Sequence, residues 1–538
     1  MMDSKKSNLL LIIAPLAFAA VISFWSLSQG ALNNHECLVS VTAREMLETN
    51  DWILPRFNGE ERLQKTPLCY WLVASVAKIT GKVDEFSSRL PSAFLALVSA
   101  AAILYFVSQW LGLPIAALST AIWASTIAFV RYSHCARPEM ALCSFITISM
   151  LSFYAAMRTQ SSRQRISYML IFWLSFSLAM LAKGPAPLAL VVPPIFIYFA
   201  VFHQWKRIKD TMPIIGPILF LLIFMPWPIM VASRVPEGLM FWKREFVDRF
   251  AGDFASGHKP PWYYLSVVFL FSAPFSAFVP YTILAPFYLI WERKRPAMWY
   301  LWIWFVVQVV VMSISGGKRQ HYILSAFPAF SILAGICLYD MIFELKAFNL
   351  KQVKTLFTCH IVAALAGAAG LLYWAFTKHQ SVALPAVHIT MMLLITLAIV
   401  IFLFQQNRKV SATALLFAGY CAILMAVFVY FIDPFDYNNP SRDFSIKAGR
   451  LANDGKDIIA YNYVSARTIH YVGRTVPEIY DINDVRKKYD LGTWVIATGD
   501  EYKQMINAGS FDVAFYQATA ERHGQEDVEG ALFHKSNN

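Results

Sequence analysis

The sequence predicts an all-α polytopic membrane protein that ends in a small α/β domain outside the membrane. Of its 538 residues, 57% are hydrophobic and only 15% are charged, whereas a soluble domain is about 25% charged. Apolar runs of roughly 18–22 residues recur along most of the chain, which is the length that a helix needs to cross about 30 Å of hydrocarbon. A transmembrane β-barrel would instead show ten-residue segments of alternating polarity.

About thirteen apolar segments are long enough to be transmembrane helices. The first follows two lysines and lacks a convincing small-residue cleavage site, so we expect a retained helix and not a removed signal peptide. The fifth and sixth segments are separated only by Lys183-Gly184. The predicted spans are residues 8–28, 89–109, 114–131, 139–157, 166–182, 185–203, 212–232, 263–290, 298–315, 322–343, 355–376, 386–404 and 411–432.

The short loops between the spans predict the orientation of the chain. Basic residues concentrate in every second loop, and the positive-inside rule places those loops and the N-terminus in the cytoplasm. The net charge of +12 follows from these loops and does not indicate nucleic-acid binding. An odd number of spans puts the C-terminus outside. The outer face then carries loops 29–88, 132–138, 183–184, 233–262 and 316–321.

The chain divides into two predicted domains, a transmembrane domain over 1–432 and a small extramembrane α/β domain over 433–538. Within outer loop 29–88, residues 37–48 have the apolar spacing of an amphipathic helix, and residues 67–80 are apolar but too short to span. After residue 433 the chain becomes polar and carries turn signals. The C-terminal domain is predicted to contain strands at 458–463, 493–498 and 513–517 and helices at 444–453 and 501–508.

Ionisable residues from distant parts of the sequence converge on the outer face. Charged groups at a membrane boundary are costly, so they indicate a functional site. The alternative to a functional site is that each residue is an ordinary charged residue at the membrane interface. This alternative suits any single residue but explains the whole set less well. The residues are His35, Glu36, Lys65, Arg137, Glu139, Lys183, His258, Lys318 and Arg319.

Two carboxylates are the candidates for acid–base chemistry. Glu36 follows the first span and can act as general base on an acceptor hydroxyl or phosphate. Glu139 follows Arg137-Pro138 at the start of a later span on the same face. The two carboxylates together can orient an acceptor or hold a divalent metal. For Glu139, simple charge pairing with Arg137 is the alternative.

The cations of the outer face are candidates for binding an anion. A departing phosphate gains negative charge as its bond breaks, and fixed cations stabilise that charge. Lys183 is unusual, because a lysine between two spans must face water or an anion. Lys318 and Arg319 follow two glycines in a loop. The lone loop histidine His258 is a weak candidate for a metal ligand, and solvation is its alternative.

At these residues the chain resembles the bacterial integral-membrane glycosyltransferases of the GT-C class, which include the aminoarabinose transferase of lipid A and relatives of the protein O-mannosyltransferases. Five patches carry the resemblance, in the family's order and spacing. They are Ala43-Arg44-Glu45-Met46-Leu47 with Trp52-Ile53-Leu54-Pro55-Arg56-Phe57-Asn58-Gly59, Gln64-Lys65-Thr66-Pro67-Leu68-Cys69-Tyr70-Trp71-Leu72, Ser88-Arg89-Leu90-Pro91-Ser92, Leu181-Ala182-Lys183-Gly184-Pro185, and Gly317-Lys318-Arg319-Gln320-His321-Tyr322-Ile323-Leu324.

The resemblance implies an enzyme that takes a sugar from a polyprenyl-phosphate carrier at the outer side of the cytoplasmic membrane. It implies transfer to a lipid, protein or glycan acceptor, usually by single displacement with inversion. It places Glu36 near the catalytic acid and Glu139 as the second acid, with Arg137 and Arg89 in support. The expected donor-phosphate residues are Lys65, Lys183, Lys318, Arg319 and Tyr322.

The chain departs from the family pattern at three acidic positions. The first outer loop usually carries adjacent Asp-Glu, and here it reads His35-Glu36. Either Glu36 acts alone, or His35 serves as base with a pKa suited to neutral pH, or the protein is inactive. Gln64 replaces a glutamate that helps to hold a metal in the aminoarabinose transferase, which weakens the case for a metal at His258. Glu139 replaces an aspartate.

Two other readings stay open from the sequence. One is a transporter or flippase of a lipid-linked sugar, which would place paired charges and broken helices at the membrane midplane, often in two repeated halves. The other is a non-catalytic homologue that binds the lipid-linked sugar, which the change at His35 keeps open.

Overall fold

Long helices account for most of the chain, as its apolar runs predict. The computed structural model describes residues 2–238, 242, 259–288, 294–432, 440–453, 456–509, 511–519 and 528–535. The α-helices are Met2–Phe24, Asn34–Thr49, Leu68–Thr80, Glu85–Leu111, Leu113–Ser125, Ile127–Ser133, Pro138–Arg158, Ser162–Lys183, Ala186–Val201, Ile215–Phe224, Pro226–Arg234, Tyr263–Ser272, Val279–Leu284, Arg295–Ile314, Phe327–Tyr339, Leu350–Lys378, Ala383–Gln405, Lys409–Val427, Pro440–Leu451, Ala466–Val472, Ile482–Asp490 and Asp500–Asn507.

Each predicted span falls on a helix or on a broken helix. Within the described ranges, eight helices are long and apolar enough to cross a membrane, and two bent pairs raise the number to ten. The bent pairs are Leu113–Ser125 with Ile127–Ser133 and Ile215–Phe224 with Pro226–Arg234. The other three of the thirteen predicted spans fall on shorter apolar helices at 8–24, at 186–201 and at 263–287. The chain is therefore a multi-pass helical membrane protein.

Contacts divide the chain into two units. The first consists of Met1–Ser26, Leu63–Cys69 and Arg89–Tyr430. Its core is one large cluster of buried aliphatic and aromatic side chains, and Trp123 and Trp304 are fully buried in it. Their indole nitrogens donate to Ser99 Oγ and to the Ser325 carbonyl, so the polar edge of each ring is satisfied where water has no access.

Gly184 separates the two helices that the sequence places almost end to end. Its φ of 59° and ψ of −143° lie in a region that residues with a Cβ avoid. The helix Ser162–Lys183 therefore ends at this glycine, and the chain starts the next helix at Ala186.

The second unit combines Leu27–Arg62, Tyr70–Ser88 and Phe431–Asn538. Its five-stranded sheet consists of β3 (Ile458–Tyr461), β4 (Glu478–Ile479), β5 (Trp494–Thr498), β6 (Val513–Thr519) and β7 (Val528–Phe533), in the order β4-β3-β5-β7-β6. β3 pairs in parallel with β4 and β5, and β7 pairs antiparallel with β5 and β6. The predicted C-terminal α/β fold is confirmed.

The segment 29–88, predicted as an outer loop, contributes a helix and a hairpin to this second unit. The helix Asn34–Thr49 confirms the predicted amphipathic helix, and Val41 packs with residues of the sheet and its helices. A two-residue hairpin follows, with β1 (Arg56–Phe57) paired to β2 (Glu60–Glu61). Asn58 at its turn donates to the Val476 carbonyl and accepts from the Val476 amide.

Candidate active site

The Glu139 carboxylate lies at the centre of a buried cluster of cationic side chains in the first unit. Its Oε1 is 3.1 Å from Lys183 Nζ and 3.3 Å from His321 Nε2. Arg137 Nη2 donates to the same oxygen at 3.3 Å, and Arg137 Nε lies 3.3 Å from Oε2. Only 4% of the Glu139 side chain is exposed, and 13% of the Lys183 side chain. These contacts therefore act where water screens charge poorly.

Two antiparallel helices place Glu139 and Lys183 at the same end. Pro138–Arg158 begins with Pro138 at its first position, which suits a residue without an amide hydrogen. Glu139 is in its first turn, and Lys183 is the last residue of Ser162–Lys183. A carboxylate at a helix N-terminus and a cation at a helix C-terminus both oppose the helix dipole favourably. The helix pair thus supports the ion pair from both sides.

The chain after the glycine-rich loop completes the cluster. His321 and Tyr322 lie in a 3₁₀ helix over Gln320–Ala326. The Lys183 ammonium is 5.4 Å from the centre of the Tyr322 ring, within cation–π range. Arg319 lies near enough to His321 to act on it electrostatically. The predicted convergence of Arg137, Glu139, Lys183, Arg319 and Tyr322 is thus present within one unit.

The segment Leu63–Cys69 adds a further cation from a distant part of the chain. Lys65 acts electrostatically on Lys183. The neighbouring Thr66 is buried, and its hydroxyl accepts a hydrogen bond from the Gly184 amide at 3.1 Å. This bond fixes the Gln64-Lys65-Thr66-Pro67 motif against the Lys183-Gly184 break, so two motifs of the resemblance meet in space.

Two other predicted cations have contacts of their own in the first unit. Lys318 donates to the Ser315 carbonyl at 2.8 Å, which closes the glycine-rich turn. Arg89 is buried near the start of its helix, with 7% exposure. One turn later on that helix, Ser92 donates to the Cys135 carbonyl at 2.6 Å. The donor-phosphate role of Lys318 and the supporting role of Arg89 stay predictions.

Glu36 and His35 belong to the second unit, in the first turn of Asn34–Thr49. The Glu36 side chain is 2% exposed, and its Oε2 accepts from the Asn33 amide at 3.0 Å and from Asn33 Nδ2 at 2.7 Å. Asn33 Oδ1 accepts in turn from the amides of His35 and Glu36. This is a capping box that begins the helix. The His35 side chain is exposed.

The metal prediction rests on a residue that lies outside the described residues. His258, with most of loop 233–262, is among the residues that the structure leaves out. In the part of the chain that it covers, no three His, Cys, Asp or Glu side chains lie close enough to hold a metal ion. Glu139 is neutralised by Arg137 and Lys183, which compete with a metal cation for its oxygens.

His321 and Thr66 are site residues that the sequence reasoning left out. Both stand inside motifs that carry the resemblance, and neither has a charge that singles it out at neutral pH. The signal that identifies His321 is its place two residues after Arg319 on a loop of the predicted outer face. For Thr66 the signal is the lysine beside it.

Several cations surround the Glu139 carboxylate. Arg137 and Lys183 contact it, Lys65 acts electrostatically on Lys183, and fixed cations of this kind bind anionic ligands. The Oε2 atom of Glu139 accepts no hydrogen bond from the described residues. The arrangement can bind an anion through its cations and can orient a hydroxyl through this oxygen.

Sequence comparisons match this part of the chain to known membrane enzymes. Residues 64–230 match the dolichyl-phosphate-mannose-protein mannosyltransferase family. An undecaprenyl phosphate-α-4-amino-4-deoxy-L-arabinose arabinosyl transferase of Yersinia enterocolitica is 28% identical over 54% of this chain and 52% of its own length. The Yersinia pestis protein of the same name is 26% identical over 70% of this chain and 64% of its own length. The chain therefore spans about half to two thirds of these relatives.

Structural comparison shows the same fold over nearly the whole chain. ArnT from Cupriavidus metallidurans bound to undecaprenyl phosphate superposes with a TM-score of 0.80 at 17% identity, covering 97% of each chain. The oligosaccharyltransferase of Archaeoglobus fulgidus in its apo form gives a TM-score of 0.52 at 13% identity, over 94% of this chain and 73% of that one. The first likeness includes the C-terminal α/β region as well as the helices.

Proposed function

We propose that this chain moves a sugar from a polyprenyl-phosphate carrier to a lipid, protein or glycan acceptor. It belongs to the GT-C integral-membrane glycosyltransferases, which include the aminoarabinose transferases and the protein O-mannosyltransferases. The reaction takes place at the outer face of the cytoplasmic membrane, which is the face on which the distribution of basic loops predicts the site to lie. The relatives' names and the undecaprenyl phosphate bound to ArnT support this donor class.

The observation that carries the proposal is the buried pairing of Lys183 with Glu139. A lysine at the end of a membrane helix is costly to bury, and here one carboxylate, the Tyr322 ring and the Thr66–Gly184 bond hold it in place. Lys65 and Arg137 increase the positive charge around it. Such a site fits the diester of a lipid-linked sugar phosphate and the monoester that leaves.

The proposed reaction is a single displacement at the anomeric carbon. An acceptor oxygen loses its proton to a base and forms the new bond to that carbon. The bond from the carbon to the carrier phosphate breaks, and the phosphate departs with the electron pair. Lys183, Lys65 and Arg137 stabilise the charge that it gains. We take the base, Glu36 or His35, from the family resemblance.

The test is turnover of a lipid-linked sugar by the purified full chain. Incubation with the crude glycolipid pool of a bacterial membrane, followed by mass spectrometry, should show one polyprenyl-phosphate sugar consumed and free carrier phosphate formed. Lys183→Gln should lower this turnover at least a hundredfold. Lys346→Gln, whose side chain is 62% exposed beside Glu344, is the matched control and should leave it unchanged.

Two outcomes would contradict the proposal. A carrier that binds intact, without loss of sugar under any acceptor tried, would indicate a non-catalytic homologue. A lipid-linked sugar that crosses the bilayer of a proteoliposome without bond cleavage would indicate a flippase.

A further inference from the structure

A polar cavity lies at the opposite end of the helices from Glu139. Arg158 is the last residue of the helix that Glu139 nearly begins, 19 residues further on. At 1.5 Å per residue the two are about 28 Å apart along the axis, close to the thickness of the hydrocarbon layer. The cavity beside Arg158 is therefore distinct from the candidate active site.

Three helix ends of the first unit form the cavity. Its volume is about 170 Å³, several times the roughly 30 Å³ that one water occupies in the liquid, so an anion with four oxygens fits. Pro138–Arg158 contributes one wall, the end of Ala186–Val201 a second, and the start of Arg295–Ile314 a third. The polar residues of its lining are Tyr154, Arg158, Tyr198 and Gln204.

Hydrogen-bond donors line this cavity, and no carboxylate is among its lining residues in the part of the chain that the structure describes. The Arg158 guanidinium lies 5.9 Å from the centre of the Tyr154 ring and hydrogen-bonds its hydroxyl. The Tyr198 hydroxyl donates to Gln204 Oε1 at 3.2 Å, which makes the amide nitrogen the donor end of Gln204. The Arg158 guanidinium, the Tyr154 hydroxyl and the Gln204 amide nitrogen are donors of the kind that phosphate oxygens accept from, and the Tyr198 hydroxyl holds Gln204 in place.

Stacked aromatic rings hold these donors in place. Tyr154 stacks on Tyr300 at 4.4 Å between ring centres, and Tyr198 meets Tyr300 edge to face at 5.5 Å. Tyr154 and Tyr198 are 3% and 4% exposed. Because the rings cannot rotate freely, the two hydroxyls keep a fixed spacing without a ligand, which lowers the entropy lost on binding.

The surroundings favour an anion from the membrane surface. Arg207 lies close enough to Tyr198 to act on it electrostatically. Arg207 and Arg165 both form ion pairs with Asp210, so two arginines face one carboxylate. The cavity is exposed through Arg158 at the end of the span, the level of lipid headgroups. Basic pockets between helix ends bind anionic headgroups. On the predicted orientation this is the cytoplasmic side.

We infer that the cavity between Arg158, Tyr198 and Gln204 binds a phosphate-bearing anion, and that its occupant is the phosphate of an anionic phospholipid headgroup. The site uses none of the residues proposed for sugar transfer, so it stands independently of that function.

The test measures lipid retained by the full chain in detergent. After delipidation, the protein is mixed with dioleoyl phosphatidylglycerol, dioleoyl phosphatidylcholine or sodium phosphate, and bound molecules are counted by native mass spectrometry. We expect retention of phosphatidylglycerol and at least tenfold less in Arg158→Gln and in Tyr198→Phe. Arg163→Gln, an exposed arginine on the same face outside the cavity lining, should retain it fully.

Each result bears on the inference. Equal retention of phosphatidylcholine, or full retention by both cavity variants, would overturn it. Binding of inorganic phosphate without phosphatidylglycerol would uphold the anion site and overturn the lipid as its occupant. Tyr198→Phe removes a single oxygen, so it supplies the answer if Arg158→Gln fails to give a monodisperse protein.

Discussion

Lys183 Nζ lies 3.1 Å from Glu139 Oε1, and these residues are the last of one helix and the second of its antiparallel neighbour. The pair links the two helices at the level where the chain leaves the apolar layer. Charge neutralisation and helix dipoles both favour it. It is the geometric centre of the candidate active site.

Removing one charge of this pair should destabilise the protein as well as inactivate it. Glu139→Gln removes the carboxylate that Lys183 and Arg137 contact in a water-poor site, which costs about 3 kcal/mol, so the thermal unfolding temperature in detergent should fall. The double variant Glu139→Gln/Lys183→Gln should recover part of that loss but no transfer activity. Equal unfolding temperatures for Glu139→Gln and the wild type would contradict the pairing.

Glu36→Gln should separate the capping role of this residue from its proposed role as base. Glutamine at the third helical position can still close a capping box with Asn33, so we expect stability within about 0.5 kcal/mol of wild type. Loss of a general base should lower turnover by about 10²–10⁴. Asn33→Ala is the contrasting control, since loss of the cap costs about 1 kcal/mol. Unchanged turnover in Glu36→Gln would move the base to His35.

The Glu45 side chain should hold the hairpin that follows the loop helix. It is 3% exposed, and its two carboxylate oxygens accept from the Asn58 amide at 2.7 Å and the Gly59 amide at 3.1 Å. Glu45→Ala leaves both amides without this partner and should cost about 2 kcal/mol or more. Limited proteolysis within 55–62 should accelerate. Glu45→Gln, which keeps one acceptor oxygen, should show an intermediate rate, and equal rates in all three proteins would refute this role.

Acidic pH should lower the stability of the second unit, because unfolding lets His470 take up a proton. The pKa of this histidine is lowered from 6.5 to about 3, mainly because it is buried; Arg44 and Arg442 act in the same sense and Asp84 in the opposite one. The unfolded state therefore binds a proton that the folded state excludes, and stability falls as pH drops from 6.5 towards 3. At pH 5 the loss is about 2 kcal/mol.

Hydrogen exchange over Ala466–Val472 should report this loss. Protection of that helix should decrease between pH 7 and pH 5 after correction for the intrinsic exchange rate. In His470→Asn, which cannot titrate in this range, the decrease should be absent. An identical pH profile in both proteins would assign it to other groups.

The sequence predicted the helices well because long apolar runs have few alternatives in a membrane. The break at Lys183-Gly184 was readable, since glycine permits the positive φ that ends the helix there. Strand β7 was missed, although it lies between β5 and β6 in the sheet. Its run Val528–Phe533 contains glutamate and glycine, and its place in the sheet depends on long-range pairing that no local pattern encodes.

The candidate site was predictable as a set of residues but not as a set of contacts. Loop polarity placed Glu139 and Lys183 on one face, and the pairing of Glu139 with nearby Arg137 was readable. The contacts of Glu139 with Lys183 and His321, however, depend on helix packing. The capping role of Glu36 was readable from Asn33 three residues earlier. The grouping of Arg137, Lys183 and Lys65 near Glu139 emerges only when three chain segments come together in the fold.

The contact between Arg44 and the carbonyl of Ile469 joins residues 425 positions apart in the chain. At roughly 5–20 residues per second, a ribosome needs about 20–85 s to make the intervening sequence. For that time the first outer loop exists without the sheet on which its helix packs. The early part of the second unit must therefore wait in the cell for its partner strands, and a stalled or shortened chain would leave it exposed to proteases.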